Sequence, residues 1–308
     1  MDDDWLVWRY EASRARLRSM AYRMLGSMND ADDAVQEAWI HVAGGDATGV
    51  ANLDGWFTTI VARVCLDMLR YRKSRREAPA DVSAAAFVGA PLDGAGGGVA
   101  AGPEQEVMLA DSVGIALLVV LDKLAPAERV AFVLHEMFGL PFAEIAAITG
   151  RSPAAARQLA SRARRRIHGA AGTYGAAGAD GAAGPTVLAR QRALAEAFLA
   201  ASRGADLGGL LAVLDPDVVL RGDSAALPSG VAITIRGARR VARAARSAAA
   251  RSRYYSGIAL VNGMPGIVYA PRGRLTVVLV FSYSEERISG IDVIAEQARL
   301  DALGLALP

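Results

Sequence analysis

Apolar residues recur at helical spacing through the first half of this chain and alternate at strand spacing in its last third. From Tyr10 to Arg76 the pattern predicts helices near 11–26, 29–43 and 53–74, broken at Gly26 and at Gly44-Gly45. A helical pattern resumes near Glu104 and runs to His168. Within it Phe142, Ile145, Ala146 and Ile148 outline a short amphipathic helix that stops at Gly150, and Ser152 and Pro153 restart the chain as N-cap and first helical residue. At about 100° per residue, Ala156, Leu159, Ala160, Ala163 and Ile167 share one arc of the next helix. Arg157, Gln158, Ser161, Arg162, Arg164 and Arg165 share the other. Beyond Pro185, helices near 186–203 and 206–214 precede strands at 217–221 and 232–236, a helix at 238–250, and strands near 254–261, 266–270, 274–283 and 287–294. Turn signals stand at Asn262-Gly263 and at Pro271 to Gly273. The expected fold is two all-α domains followed by an α+β domain with a mostly antiparallel sheet.

Two stretches fall outside these patterns. Residues 77–103, rich in Ala, Gly and Pro, and residues 170–185, within GAAGTYGAAGADGAAGP, read as linkers too poor in large apolar residues to pack. The domains they separate are 1–76, 104–169 and 186–308.

Helix, tight turn and helix around Gly150 form a helix-turn-helix, in which the second helix enters the major groove with its N-terminal side chains at the base edges. No acid lies between Glu144 and Asp180, so the sequence supplies no local partner for the arginines. An unpaired basic helix suits phosphate. The competing reading is an αα-hairpin with a solvated basic face.

The helix from Asp30 to Val42 sets Ala31, Ala34, Val35, Ala38, Trp39 and Val42 against Asp32, Asp33, Gln36 and Glu37, with Ile40 among the acids. An acidic face is commonly a solvated one. An isoleucine within it points to a protein partner, because interface cores pair an apolar anchor with a polar rim. On the helix from Leu53 to Lys73, Phe57, Ile60, Val61, Val64 and Met68 form the expected core stripe, and Thr59, Arg63, Arg70 and Lys73 line the other side, with Trp56 at the edge. A cationic track beside an aromatic suits single-stranded or melting DNA. Trp56 as a core residue is the alternative.

Composition narrows the classes. Net charge is +2 and hydrophobic residues make up 53%, much of it alanine. No run approaches the roughly 18 strongly apolar residues of a membrane span. The N-terminal MDDDWLVWRYEASR lacks the basic and apolar regions of a secretory signal, so a cytoplasmic protein is expected. The single cysteine, Cys65, permits no internal disulfide and reads as a small buried hydrophobe. Metal-ligand spacing, a phosphate loop and a nucleophile triad are all missing from the sequence, so neither metal nor cofactor is expected.

These segments carry a family resemblance. RMLGSMNDADDAVQEAWI, DGWFTTIVARVCLDMLRYRKSRRE and the stretch from Asp122 to Ile167 resemble the two domains, regions 2 and 4, of bacterial extracytoplasmic-function sigma factors. PFAEIAAITGRSPAAARQLASRARRRI, with LDPDVVLRGDSA, IRGARRVAR, ALVNGMPGIVY and ISGIDVI in the tail, is similar to the subgroup with a C-terminal SnoaL-like domain, a cone-shaped α+β barrel.

The resemblance implies a promoter-specificity subunit whose partners are RNA polymerase core and promoter DNA. It places Asp30, Asp32, Asp33, Gln36 and Glu37, with Ile40 beside them, on the helix that docks on core polymerase. Trp56, Arg63, Arg70, Arg72, Lys73, Arg75 and Arg76 would meet the downstream promoter element. Arg151, Ser152, Arg157, Gln158, Ser161, Arg162, Arg164 and Arg165 would meet the upstream one. An intramolecular contact between the tail and the sigma domains, modulating activity, is also implied. The chain departs from the subgroup in three motifs. EAPADVSAAAFVGAPL stands where Trp-Leu-Pro-Glu-Pro is usual, Asp223 to Leu227 replaces Asp-Gly-Gly-Gly-Lys, and Ala295 to Ala298 replaces Asn-Pro-Asp-Lys.

Two further classes stay open on residues alone. One is a stand-alone DNA-binding regulator with a small-molecule-sensing tail, which would need neither the acidic face nor the strand-opening helix. The other is a tail enzyme of the isomerase or cyclase kind. All three histidines, His41, His135 and His168, precede the tail, which leaves Asp217, Asp223 and Asp292 as its candidate bases. Asp223, between Gly222 and Ser224, equally suits a turn.

Overall fold

The computed structural model describes residues 3–45, 50, 52–77, 114–168, 185–227, 230–252, 255–284 and 286–308. The two expected linkers, apart from Glu77 and Pro185, and the start of the helical pattern after Glu104 lie outside the described residues. The chain forms two compact units.

The helical unit opens with α1 (Asp3–Leu25), α2 (Met28–Ala43) and α3 (Leu53–Glu77). Gly26 takes φ 77°, and Ser27 caps α2 by accepting from the Asp30 amide. Asn52 accepts from the Gly55 amide at the start of α3. Leu17, Met20, Met24, Met28 and Phe57 are fully buried between the three helices. The buried side of α3 is broader than the expected stripe. Phe57, Val61 and Val64 are buried, and so are Thr58, Ala62, Cys65, Leu66 and Leu69, while Ile60 and Met68 are only half-buried. The reason lies in the second layer: α3 packs on α1 and α2 and also on α5 (Pro126–Phe132) and α6 (Phe142–Thr149), so two sides are covered. Between α5 and α6 a π-helical turn, Val133–Met137, carries the chain round, a register change that apolar spacing does not reveal. α7 (Pro153–Ile167) completes the unit, after Gly150 at φ 68°.

The second unit is built on a seven-stranded sheet. Its order is β2-β1-β6-β5-β4-β3-β7, from β1 (Leu214–Gly222), β2 (Ile233–Arg236), β3 (Ser256–Val261), β4 (Met264–Tyr269), β5 (Val277–Ser284), β6 (Arg287–Ile294) and β7 (Leu305–Ala306). Every pairing is antiparallel except β1 with β6. The β3–β4 hairpin turns on Asn262 and Gly263, both at positive φ, as the two-residue turn requires.

On one sheet face α8 (Pro185–Arg203), α9 (Leu207–Val213) and α10 (Ala238–Ser252) bury Phe198, Leu210 and Val241 against Val218, Ile267, Phe281 and Ile291. The other face packs Val261, Val268, Val278 and Ile294 against Leu300 of α11 (Gln297–Ala302) and against Ile115, Ala116 and Val119 of α4 (Ile115–Asp122). Residues 115–120 of α4 therefore group with the sheet unit, and three of them, Ile115, Ala116 and Val119, lie in its core. β7 and α11 escape the sequence pattern because two and six residues are too few for a period to show.

Candidate protein-binding and nucleic-acid surfaces

The acidic residues of α2 divide into two sets. Asp32 takes the Arg18 guanidinium from α1 at 2.6 Å, and Asp30 takes that of Arg72 from α3 at 2.6 Å. Arg72 also donates to the Leu25 carbonyl. These half-buried pairs tie α2 to α1 and α3 and engage Asp30, Asp32 and Arg72 at the bundle's edge. Asp33, Gln36 and Glu37 are exposed, and Ile40 beside them has 67% of its surface in solvent. An apolar anchor ringed by acids is thus presented on a helix whose other side is locked: Tyr10 packs on Trp39 at 5.0 Å and donates to the Val35 carbonyl.

On α3 the outward cations are Arg63, Arg70, Lys73 and Arg75. Arg63 donates to the Ala147 carbonyl of α6, and Arg70 pairs with Asp67 at 3.1 Å. Arg75 lies over the ring of Tyr71, which is 63% exposed. Tyr71 was not among the expected residues, although its spacing of four from Arg75 is visible in the sequence. Trp56 is half-buried, its ring 5.7 Å from that of Phe57 and against Gly45. Nothing is described of the Arg76 side chain. Cys65 is fully buried on the inner side of α3, and burial pushes its thiol up to about 12, which keeps it protonated and inert.

The helix-turn-helix is formed by α6, Gly150 and α7. Ser152 accepts from the Ala155 amide at 3.2 Å, and Ala156, Leu159, Ala160, Ala163 and Ile167 are buried as one stripe. Arg151, Ser152, Arg157, Gln158, Ser161, Arg162, Arg164 and Arg165 are all exposed. Arg157 lies 5.3 Å over the Phe142 ring. One expectation fails here: the arginines do have acidic partners. Glu128 of α5, itself buried, pairs with Arg162 at 3.4 Å and Arg166 at 2.9 Å, and Glu136 pairs with Arg164. These acids lie more than twenty positions upstream and reach α7 only through the fold. Arg151, Arg157 and Arg165 have no ion pair among the described residues.

In the sheet unit Asp223 is a clasp. One of its oxygens accepts from the Ala295 and Glu296 amides and from Arg299, tying the end of β1 to the end of β6 and to α11. Asp217 and Asp292 are not joined to it in a common site: Asp217 donates its amide to Asp215, and Asp292 lies in the β6 ladder. Among the described residues no cluster of His, Cys, Asp and Glu is arranged to hold a metal, and no helix is long and apolar enough to cross a membrane.

Comparison with known proteins agrees with this geometry. Residues 9–75 match the family model for Sigma-70 region 2, and residues 115–167 match that for Sigma-70 region 4. The chain is 34% identical over 303 residues to the probable ECF RNA polymerase sigma factor SigI of Mycobacterium tuberculosis, covering 96% of this chain and 94% of that one. It is 38% identical over 237 residues to the ECF RNA polymerase sigma factor SigJ of the same organism, covering 77% and 71%. The crystal structure of M. tuberculosis extracytoplasmic function sigma factor SigJ aligns at 29% identity over 96% of this chain and 98% of that one, with a TM-score of 0.43. The chain belongs to the extracytoplasmic-function sigma factors: it is an alternative sigma factor whose regions 2 and 4 bind core RNA polymerase and promoter DNA, an initiation factor and not an enzyme.

Proposed function

We propose that the sheet unit, a SnoaL-like domain, modulates this sigma factor through α4. The observation that carries the reading is the burial of Ile115, Ala116 and Val119, the first turns of the region 4 match, in the core of the sheet. Gly257 of β3 marks the seam, since a methyl group there would stand 3.1 Å from the Ile115 side chain and 3.3 Å from the Ala116 backbone. Any change in the sheet's hold on α4 therefore bears on the first helix of region 4, and a small difference in affinity between two states is enough to shift their populations.

At residue level, core polymerase docks on Asp33, Gln36, Glu37 and Ile40, with Asp30 and Asp32 bracing the helix beneath. The downstream element meets Trp56, Arg63, Arg70, Lys73, Arg75 and Arg76, with Arg72 as a brace and Tyr71 as an added stacking platform. The upstream element meets Arg151, Ser152, Arg157, Gln158, Ser161 and Arg165, while Arg162 and Arg164 fix the helix that carries them. In domain terms these functions fall to 1–76 and 104–169, with modulation in 186–308 and linkers at 77–103 and 170–185. The site of action is the cytoplasm, where polymerase works.

Run-off transcription with core polymerase on the chain's own upstream DNA tests the reading. Gly257→Val, which drives a side chain into α4, should change transcript yield at least severalfold with the start site kept. Equal yield from a folded Gly257→Val protein and the parent would refute it.

A further inference from the structure

All nine charged residues between Asp223 and Glu285 are arginines. Five of them, Arg236, Arg239, Arg240, Arg243 and Arg246, lie on or just before α10 and are exposed. At about 100° per residue the four on the helix, Arg239, Arg240, Arg243 and Arg246, point within an arc of roughly 120° that leaves out Val241 and Ala242, both fully buried against the sheet, and Arg236 ends β2 just before them. None of the five has an ion pair among the described residues, and the segment contains no acid that could supply one. Arg287 from β6 joins Arg236, Arg239 and Arg240 around a groove of about 480 Å³ at the start of the helix. Like charges at three- and four-residue spacing repel each other along a helix. Water and salt screen such a row, and an external polyanion would relieve it further.

We propose that this face of α10 is a third DNA contact, a sequence-independent grip on the phosphate backbone of the DNA that regions 2 and 4 read. The inference rests on the family assignment only for the presence of DNA. From Arg239 to Arg246 the row covers roughly 10 Å of helix, about three phosphates of one strand. That length runs past the groove, which favours an extended polyanion over a single small one. Affinity need not be high. Covalent joining to two DNA-binding regions keeps the face at an effective concentration on the order of millimolar, above the roughly 10⁻⁴–10⁻⁶ M dissociation constants of non-specific phosphate contacts.

The test is the salt dependence of holoenzyme binding to a promoter duplex and to a scrambled duplex, for the parent and for a variant combining Arg239→Gln, Arg240→Gln, Arg243→Gln and Arg246→Gln. The variant should lose about tenfold or more in affinity on both duplexes at low salt. Its plot of log affinity against log salt should flatten by about two to four. The corresponding all-lysine variant should keep most of the parent's slope, because phosphate contact needs charge more than shape. The ratio of promoter to scrambled affinity should stay at the parent value, which separates this face from regions 2 and 4. An unchanged slope in the folded glutamine variant overturns the proposal, as does a loss confined to the promoter duplex. A rise in affinity assigns the face to an acidic surface of this chain, and saturable thermal protection of the parent alone by inorganic pyrophosphate, with the slope unchanged, makes the groove a small-anion site.

Discussion

α7 and α10 are both 15-residue amphipathic helices with arginines along one face, yet the fold treats them differently. On α7 three of the four arginines in the C-terminal half are anchored, since Glu128 holds Arg162 and Arg166 and Glu136 holds Arg164, while Arg165 stays without an ion pair among the described residues. That leaves Arg157, Gln158 and Ser161 projecting from a helix whose rotation about its own axis is fixed. On α10 none of Arg239, Arg240, Arg243 and Arg246 has an ion pair among the described residues. Sequence reading requires a defined position for each donor, because a base edge accepts in one geometry. Phosphate contact tolerates a mobile guanidinium. The contrast between anchored and free arginines is therefore a contrast between a helix built to read and one built to hold.

The largest expected effect comes from removing the anchor. Glu128 is buried, accepts from two arginines and also takes the Ala125 amide at the start of α5. Its partners are about half exposed, so water compensates part of the loss. Glu128→Ala should cost the helical unit about 2 kcal/mol, seen in urea denaturation as a lower midpoint. Its promoter-to-scrambled ratio should also fall, because α7 is no longer held in one rotation. A variant that loses stability and keeps the full ratio would break the link between anchoring and reading.

Arg157→Ala against Arg243→Ala sharpens the comparison with single residues. The first should cost roughly 1–3 kcal/mol on the promoter and relax preference at one position, since Arg157 projects from the N-terminal half of α7. The second should weaken promoter and scrambled DNA by the same, smaller factor and lower the salt slope by about one. Equal behaviour of the two in a fluorescence-anisotropy titration would erase the distinction.

How much of this was legible in the sequence depends on the range of the interactions. The buried stripe of α7, from Ala156 to Ile167, and the Gly150 turn follow from local spacing, and both appear as expected. The hairpin at Asn262-Gly263 is equally local. What spacing could not give is partnership across the chain. Glu128 meets Arg162 and Arg166 over more than thirty positions, Asp30 meets Arg72 over forty-two, and Ile115 meets a sheet that begins a hundred residues later. An acidic or basic face read from a helical wheel therefore includes residues that are already satisfied. Sorting Asp33 and Glu37 from Asp30 and Asp32 took the neighbouring helices.

The smallest effect, and the one most diagnostic of the contrast, comes from giving α10 the acid it lacks. Ser247 is exposed one turn after Arg243. Ser247→Glu places a carboxylate four residues from that arginine and beside Arg246, which should stabilise the helix by at most about 0.2–0.5 kcal/mol. Binding should move the other way: one negative charge within the arginine row repels phosphate and reduces the salt slope by about one, on promoter and scrambled DNA alike. A protein slightly more stable and slightly weaker on all DNA is the outcome expected if the α10 arginines are left unpaired for an external anion. Stability and DNA affinity rising together would mean that the row had only needed order, and that α10 is an α7 lacking its anchor.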